Sequence, residues 1–269
     1  MHTIVVGVDS SSASGAALAW AAARAAGTGS ALTVVHVVDD EWGADATELT
    51  AATGQLSAHV DAIRDDFPNL AVEGELVAGN PSVELALVAR EADLLVVGTH
   101  KTGFVQGRVF GSAALRLAGE VRVPVAVIPE HSTGSRAGVV VGIDASPASD
   151  AAVRFAALEA ARLGEEMILV LGAGTATAPS RSMMRSEREL ETIARAVKVA
   201  ETTRPDVAAR VRTLRRAAAP SLIDAADRAV LLVIGSSRRH VDAAVALGPV
   251  AHDVLLNITA PTVVVHPTA

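Results

Sequence analysis

The fold is decided by the stretch Ile4-Val5-Val6-Gly7-Val8-Asp9-Ser10-Ser11, in which an apolar run leads directly into a polar turn. The same pattern returns 135 residues later as Val139-Val140-Val141-Gly142-Ile143-Asp144-Ala145-Ser146. An apolar run without alternation is typical of a strand that is buried on both faces of a parallel sheet. The sequence therefore predicts two copies of one unit, each beginning with such a strand.

Later blocks of the chain repeat as well, at a spacing of 137 residues. The matching pairs are Leu94–Gly98 with Leu231–Gly235, Val123–Val127 with Ala260–Val264, and Gly111 with Gly248. The polar, glycine-containing stretch 130–136 between the copies has the composition of a linker. We therefore predict one domain over residues 1–132 and a second domain over residues 137–269.

Within each copy, Val- and Ile-rich runs alternate with Ala-rich stretches, which predicts an α/β fold. Each domain is expected to be Rossmann-like, with a five-stranded, mainly parallel sheet flanked by helices. In the first copy the predicted strands are 3–9, 31–38, 70–77, 93–98 and 123–129, and the predicted helices are 12–26, 46–65, 81–91 and 111–120. Ser12 or Ser14 is expected to cap the first helix, and Pro81 and Pro220 to lie in first helical turns.

Composition excludes several classes of function. The formal net charge of −7, the pI near 5.6 and the scarcity of aromatic residues argue against binding to nucleic acid. No apolar stretch reaches the length of about 20 residues that spans a bilayer, so no membrane association is expected. Only three residues precede the first apolar run, and there is no cysteine. These features predict a cytoplasmic protein without a secretory leader.

Two segments that follow predicted strands carry the candidate binding chemistry. Asp9 can hydrogen-bond a ribose hydroxyl or a base amino group, or it can simply stabilise the strand-to-helix turn. The glycine-rich segment from Gly98 to Ser112 leads into a helix, where backbone N–H groups and the helix dipole favour phosphate. The alternative for this segment is a surface loop in which the glycines only permit turns. No P-loop pattern is present.

The segment resembles the phosphate loop of the universal stress protein family, Gly-x2-Gly-x9-Gly-Ser or Thr. Gly98 and Gly111-Ser112 match this pattern, whereas Lys101 stands where the second glycine belongs. The resemblance covers both copies and is strongest to the tandem branch of the family, whose domains have the adenine nucleotide alpha hydrolase-like fold. It implies that Asp9 and Val37 contact the adenosine moiety, that Val97 lies beside it, and that phosphates are held by Gly98, Gly111, Ser112 and Ala113. Three interpretations of Lys101 stay open: its side chain blocks the close backbone approach that glycine permits, its ammonium group binds phosphate, or it is a solvated loop charge.

The second copy departs further from the family pattern. Asp144, Gly235 and Gly248 are retained, but Pro249 follows Gly248 and removes a backbone donor. In addition, Gly172-Ala173 is aligned with the His36-Val37 pair of the first copy. The second copy is therefore interpreted as a degenerate site and a structural partner, with nucleotide held mainly by the first copy.

No residue constellation suited to catalysis or to metal binding is evident, so we expect a protein that is not an enzyme. The leading hypothesis is a regulatory or stress-response protein that binds ATP or another adenine nucleotide, with or without Mg²⁺. The alternatives are a scaffold that binds no nucleotide and a slow ATPase. The resemblance implies that the last strands mediate domain pairing within the chain and formation of a homodimer. His36 and His266 are interpreted as packed, hydrogen-bonded residues.

Overall fold

The computed structural model describes residues 2–39, 46–99, 104–105, 108–109, 112–130, 136–174, 179–236, 239–241 and 244–267. The chain divides into two compact units, Met1–His131 and Ser132–Ala269. Each unit contains one copy of the repeat, and each is described in turn below.

The first unit alternates strands and helices. Its elements are β1 (Thr3–Val8), α1 (Ser12–Thr28), β2 (Ala31–Val38), α2 (Ala46–Asp66), β3 (Val72–Ala78), α3 (Pro81–Val88) with a 3-10 turn over Ala89–Glu91, β4 (Leu94–Thr99), β5 (Phe104–Val105), β6 (Arg108–Val109), α4 (Ser112–Glu120) and β7 (Val125–Pro129). The strands lie in the order β7-β4-β1-β2-β3, and every pair in this row is parallel. The order reverses between β1 and β4, which is where α/β sheets form a ligand crevice.

The second unit repeats this arrangement. Its elements are β8 (Val139–Gly142), α5 (Pro147–Leu163), β9 (Met167–Gly172), α6 (Pro179–Thr203), β10 (Ala209–Leu214), α7 (Ala218–Ala226), β11 (Leu231–Gly235), β12 (Arg239–Val241), β13 (Ala244–Ala246), α8 (Pro249–Leu256) and β14 (Thr262–Val265). The order β10-β9-β8-β11-β14 is again entirely parallel. The predicted fold class, tandem Rossmann-like α/β domains, is confirmed.

Burial explains the sequence pattern of the strands and helices. The central strands of both sheets are buried along almost their whole length, whereas β3 and β10 are largely exposed. Ala17, Ala21 and Ala25 of α1 are fully buried, and α5 has the same row of small residues. Small side chains allow these helices to lie close to the sheet, which accounts for the Ala-rich stretches.

Two local predictions need correction. The N-cap of α1 is Ser11, not Ser12 or Ser14, because Ser11 has an extended backbone and its hydroxyl accepts a hydrogen bond from Ser14 N at 3.2 Å. The segment after β4 contains the antiparallel strands β5 and β6, where only a glycine-rich loop was expected. A similar pair, β12 with β13, follows β11 in the second unit. Pro81 and Pro220 do lie in the first turns of α3 and α7.

Each unit depends on one very close approach between a strand and a helix. A Cβ atom on Gly98 would lie 2.3 Å from Ala13 O in the first turn of α1. A Cβ atom on Gly235 would lie 2.4 Å from Ala148 O in the first turn of α5. The obstructing atoms belong to backbone, which has no rotamer by which to move aside. Only glycine therefore permits this packing.

We expect Gly98→Ala and Gly235→Ala each to lower the free energy of unfolding by about 1–3 kcal/mol, the usual cost of overpacking. Gly15→Ala in α1 is the matched control, since a Cβ atom there meets nothing within 4 Å. This control should raise stability by up to about 1 kcal/mol, because alanine favours helix more than glycine does. Urea denaturation measures all three values. Equal effects at Gly98 and Gly15 would contradict the packing argument.

Candidate functional site

A cavity of about 170 Å³ lies at the carboxyl edge of the first sheet, where the strand order reverses. Its walls come from β1, β2 and β4 and from the beginnings of α1, α3 and α4. The lining residues are Gly7, Val8, Asp9, Ser11, Ser14, Val35, Val37, Pro81, Leu85, Val97, Gly98, Ala113, Ala114 and Leu117. The cavity combines apolar walls with a small number of polar groups, which is the usual character of a small-molecule site.

Five residues singled out from the sequence line this cavity together: Asp9, Val37, Val97, Gly98 and Ala113. They come from four segments that are far apart along the chain. Ser112 is the first residue of α4. Two further predicted residues, Lys101 and Gly111, lie outside the part of the chain that the structure describes.

The Asp9 carboxylate is an exposed polar group at the rim of the cavity. Its Oδ1 atom accepts a hydrogen bond from Ser11 N at 2.8 Å. Behind it, the Ser14 hydroxyl donates to Asp9 O at 2.8 Å. Asp9 thus stabilises the strand-to-helix turn, and the turn in return holds the carboxylate at a defined place beside the cavity.

The first turn of α4 borders the cavity through Ala113 and Ala114, and Leu117 borders it from the second turn. The first N–H groups of a helix have no partner within it, and the helix dipole adds positive partial charge at that end. The side chains of Ala113 and Ala114 are small, so a ligand can approach the backbone of this turn closely. This end of the cavity is therefore suited to an anionic group.

Sequence reasoning missed the wall that α3 contributes. Leu85 of α3 covers Gly7 so closely that a Cβ atom on Gly7 would lie 2.8 Å from Leu85 Cδ1. The start of α3 is fixed by its N-cap, Asn80, whose Oδ1 accepts hydrogen bonds from Ser82 N and Val83 N. The segment Gly79-Asn80-Pro81 was a visible helix-start signal, but nothing in it indicated that Leu85 faces the first strand.

The second unit has a smaller cavity, about 120 Å³, at the corresponding edge. Asp144 and Gly235 line it, and Asp144 Oδ1 accepts from Ser146 N at 2.8 Å, as Asp9 does from Ser11. Gly248 is not among the lining residues; it is the N-cap of α8. The two units therefore share the acidic turn and differ at the helix that follows the fourth strand.

The start of α8 differs from the start of α4 in the backbone N–H groups that it leaves available. Gly248 N donates a hydrogen bond to the hydroxyl of Ser236, which is 2% exposed. Pro249, the first residue of α8, has no N–H group to offer. The backbone of Gly248 and Pro249 thus offers no unpaired N–H group at the start of α8.

The strand register corrects the alignment of the two copies at this edge. Gly7 pairs with Val35 and Gly142 pairs with Val170, so Leu171 and Gly172 are the counterparts of His36 and Val37. The predicted alignment with Gly172-Ala173 was wrong by one residue. A Cβ atom on Gly172 would lie 2.5 Å from Ala218 Cα. In the second unit, the backbone of α7 therefore takes the space next to the strand where Val37 has its side chain.

His36 and His266 differ in their hydrogen bonding. His266 is buried and its Nδ1 lies 2.7 Å from Ser236 O, as the interpretation of a packed, hydrogen-bonded residue requires. His36 is half-buried, but its Nδ1 has no hydrogen-bond partner among the described residues. Burial lowers the pKa of His36; the Asp9 carboxylate opposes this shift and His59 adds to it.

Together, the fold and the two cavities define a tandem α/β protein with a crevice at the carboxyl edge of each sheet. The universal stress protein family model matches residues 1–129 and again 138–266. Universal stress protein Rv1996 of Mycobacterium tuberculosis is 31% identical over 297 residues, which cover 97% of this chain and 94% of that protein. Universal stress protein Rv2005c of the same species is 30% identical over 292 residues, covering 98% and 96%. The chain belongs to the universal stress protein family.

A solved structure agrees with the fold of the whole chain. The universal stress protein from Archaeoglobus fulgidus DSM 4304 superposes with a TM-score of 0.72 at 15% identity, covering 99% of this chain and 98% of that one. Within the described residues, no helix is both long enough and apolar enough to cross a membrane.

We expect His36→Leu to make the free energy of unfolding less dependent on pH below neutrality. Leucine is the residue at the corresponding position of the second unit, Leu171. A histidine whose pKa is lowered by folding takes up its proton more readily in the unfolded chain. The free energy of unfolding therefore falls as pH decreases below about 6.5. Urea denaturation between about pH 7 and pH 5 should show a shallower fall in the variant. The same fall in the free energy of unfolding with pH in both proteins would contradict a lowered pKa of His36.

Proposed function

We propose that the first unit binds an adenine nucleotide, ATP in the first place, and that the chain is a nucleotide-responsive regulatory protein of the stress response. Binding would shift the population of a conformation or an assembly to the extent that the two states differ in nucleotide affinity. The observation that carries this proposal is the convergence of Asp9, Val37, Val97, Gly98 and Ala113 on one cavity.

The chemistry of the cavity supports each part of such a ligand. The Asp9 carboxylate is positioned by Ser11 N and can accept hydrogen bonds from ribose hydroxyls or a base amino group. Val37 and Val97 offer apolar surface for a base. The first turn of α4, at Ala113, offers backbone N–H groups to phosphate. Lys101 stands at the position of the second family glycine, and its ammonium group would add a positive charge that attracts phosphate.

A Mg²⁺ ion fits this proposal as a companion of the phosphates. Among the described residues, no three acidic or histidine side chains converge to form a metal site. Mg²⁺ in nucleotide sites is commonly held by one or two carboxylates together with the phosphates. Asp9 is the carboxylate available in the cavity lining, so the nucleotide would bring most of the oxygen ligands.

We propose binding without turnover. Hydrolysis needs a positioned base, a nucleophile or a metal that activates water. The titratable side chain in the described lining of the cavity is Asp9, and it is already committed to the turn that it forms with Ser11.

The second unit fits the role of a structural partner. Its Gly248 N–H group is bonded to Ser236, Pro249 has none, and Ala218 crowds the strand at Gly172. These three features favour a scaffold role for this unit. A protein in which the first unit also bound no nucleotide would be a scaffold throughout.

Asp9→Ala and Asp144→Ala form a matched pair that tests this proposal. Each variant removes a carboxylate that accepts one backbone N–H group at 2.8 Å in a strand-to-helix turn. We expect Asp9→Ala to weaken ATP binding by about tenfold or more, the effect of losing a hydrogen bond to a charged group. Asp144→Ala should leave binding unchanged. Equilibrium dialysis with radiolabelled ATP measures affinity and stoichiometry, with a single ATP expected per chain.

Two results would count against the proposal. A folded wild-type chain that neither retains nor binds ATP, ADP, AMP or cyclic AMP would favour the scaffold. Equal losses in Asp9→Ala and Asp144→Ala would place the binding elsewhere or in both units.

A further inference from the structure

Outside the crevice, the first unit has a cavity of about 490 Å³ close to the amino ends of β2 and β3. It therefore lies at the edge of the sheet opposite to the proposed nucleotide site. The lining residues come from the end of α1, the end of α2 and the segment that leads into β3: Ala25, Ala26, Gly29, Ser30, Asp66, Phe67, Pro68, Asn69, Leu70 and Ala71.

The electrostatic character of this cavity is negative. Both α1 and α2 end beside it, and the carboxyl end of a helix carries negative partial charge. Asp66, the last residue of α2, adds a full charge. Among the described lining residues there is no lysine or arginine. The nearby Arg64 is engaged elsewhere, since its guanidinium donates to Asp61 Oδ1 at 3.3 Å and to Val72 O at 3.2 Å.

The cavity also offers apolar surface. Phe67 and Leu70 are half-buried, and Ala25, Ala26 and Pro68 complete the apolar wall. An aromatic ring next to negative charge is a favourable place for an organic cation, which is attracted both by the ring face and by the carboxylate. A bare metal ion would use neither the ring nor the alanines.

The second unit carries a charged pair at the corresponding place in the chain. Val72 and Ala209 are the first residues of the third strands, β3 and β10. Phe67 and Arg204 correspond because each lies five residues before its strand, and Asn69 and Asp206 correspond because each lies three residues before it. Arg204 forms two hydrogen bonds with Asp206, at 2.9 and 2.7 Å. A guanidinium group therefore lies at the end of α6 in the second unit. In the first unit, an aromatic ring and a neutral amide take its place.

We propose that this cavity of the first unit binds a small organic cation: a guanidinium or primary ammonium group on a short apolar chain. The cationic head lies by Asp66 and the ends of α1 and α2, and the chain lies against Phe67. This site is independent of the nucleotide site, because it uses the opposite edge of the sheet and different residues.

Titration of the isotope-labelled full-length protein with n-butylguanidinium chloride, followed by amide NMR, tests the proposal. Saturable shifts are expected at residues 26–30 and 66–71, with a dissociation constant on the order of 1 mM for a ligand of this size. n-Pentanol serves as a neutral probe of similar length and should bind at least about tenfold more weakly. Equal binding of both probes, or shifts without saturation, would overturn the proposal.

Two variants and one control test whether the cation binds beside Asp66 and Phe67. Asp66→Asn should weaken binding of n-butylguanidinium about threefold, as expected for an exposed ion pair. Asp65→Asn removes the same charge one residue earlier on α2, outside the lining, and should change binding less. The double variant Phe67→Arg/Asn69→Asp copies the pair of the second unit and should abolish binding.

The double variant also separates loss of the site from loss of the fold. The Arg204–Asp206 pair shows that this backbone accommodates both side chains, so amide signals away from the cavity should stay in place. Retained binding in a folded double variant would overturn the proposal. So would equal weakening by Asp65→Asn and Asp66→Asn.

Discussion

The contact on which each unit depends is the approach of a glycine in the fourth strand to the first turn of the first helix. A Cβ atom at position 98 would lie only 2.3 Å from Ala13 O. Only glycine at this position therefore lets α1 begin directly above β4. This position of α1 brings Ser11 and Ser14 to the crevice between β1 and β4 and holds Asp9 at its rim. The geometry of the cavity follows from a packing constraint that needs no ligand.

This constraint changes how the family loop pattern is interpreted. Gly235 keeps the same contact with α5, at 2.4 Å, in a unit where Gly248 N is bonded to Ser236 and Pro249 has no N–H group. Packing alone therefore explains why both units have a glycine at this position. The two units differ after the fourth strand and at the start of the next helix, where Ser236 and Pro249 replace Thr99 and Ser112. The strand-to-helix packing is thus the same in both copies although these neighbouring positions differ.

The sequence predicted the fold well because buried parallel strands and Ala-rich helices leave strong patterns, and because the repeat confirms each of them. Prediction from the sequence was wrong where several neighbouring residues suit the same structural role equally well, or where an element is very short. Ser10, Ser11, Ser12 and Ser14 are chemically equivalent as caps, and only the backbone conformation selects Ser11. The register of β9 was misjudged because Leu171, Gly172 and Ala173 all fit a buried strand; the pairing of Gly142 with Val170 decides it. The hairpins after β4 and β11 are too short to leave a periodic signal.

The same topology gives each unit opposite electrostatic character at its two edges. In a parallel sheet with helical crossovers, helices begin near the carboxyl ends of strands and end near the amino ends of the next ones. Helix N-termini therefore collect at one edge and C-termini at the other. Side chains then determine whether that charge is matched within the protein or left for a ligand. Ser236 satisfies Gly248 N at one edge of the second unit, and Arg204 lies by a helix end at the other. The corresponding residue after α2 in the first unit is Phe67, so the two copies place different side chains on a common backbone at this edge.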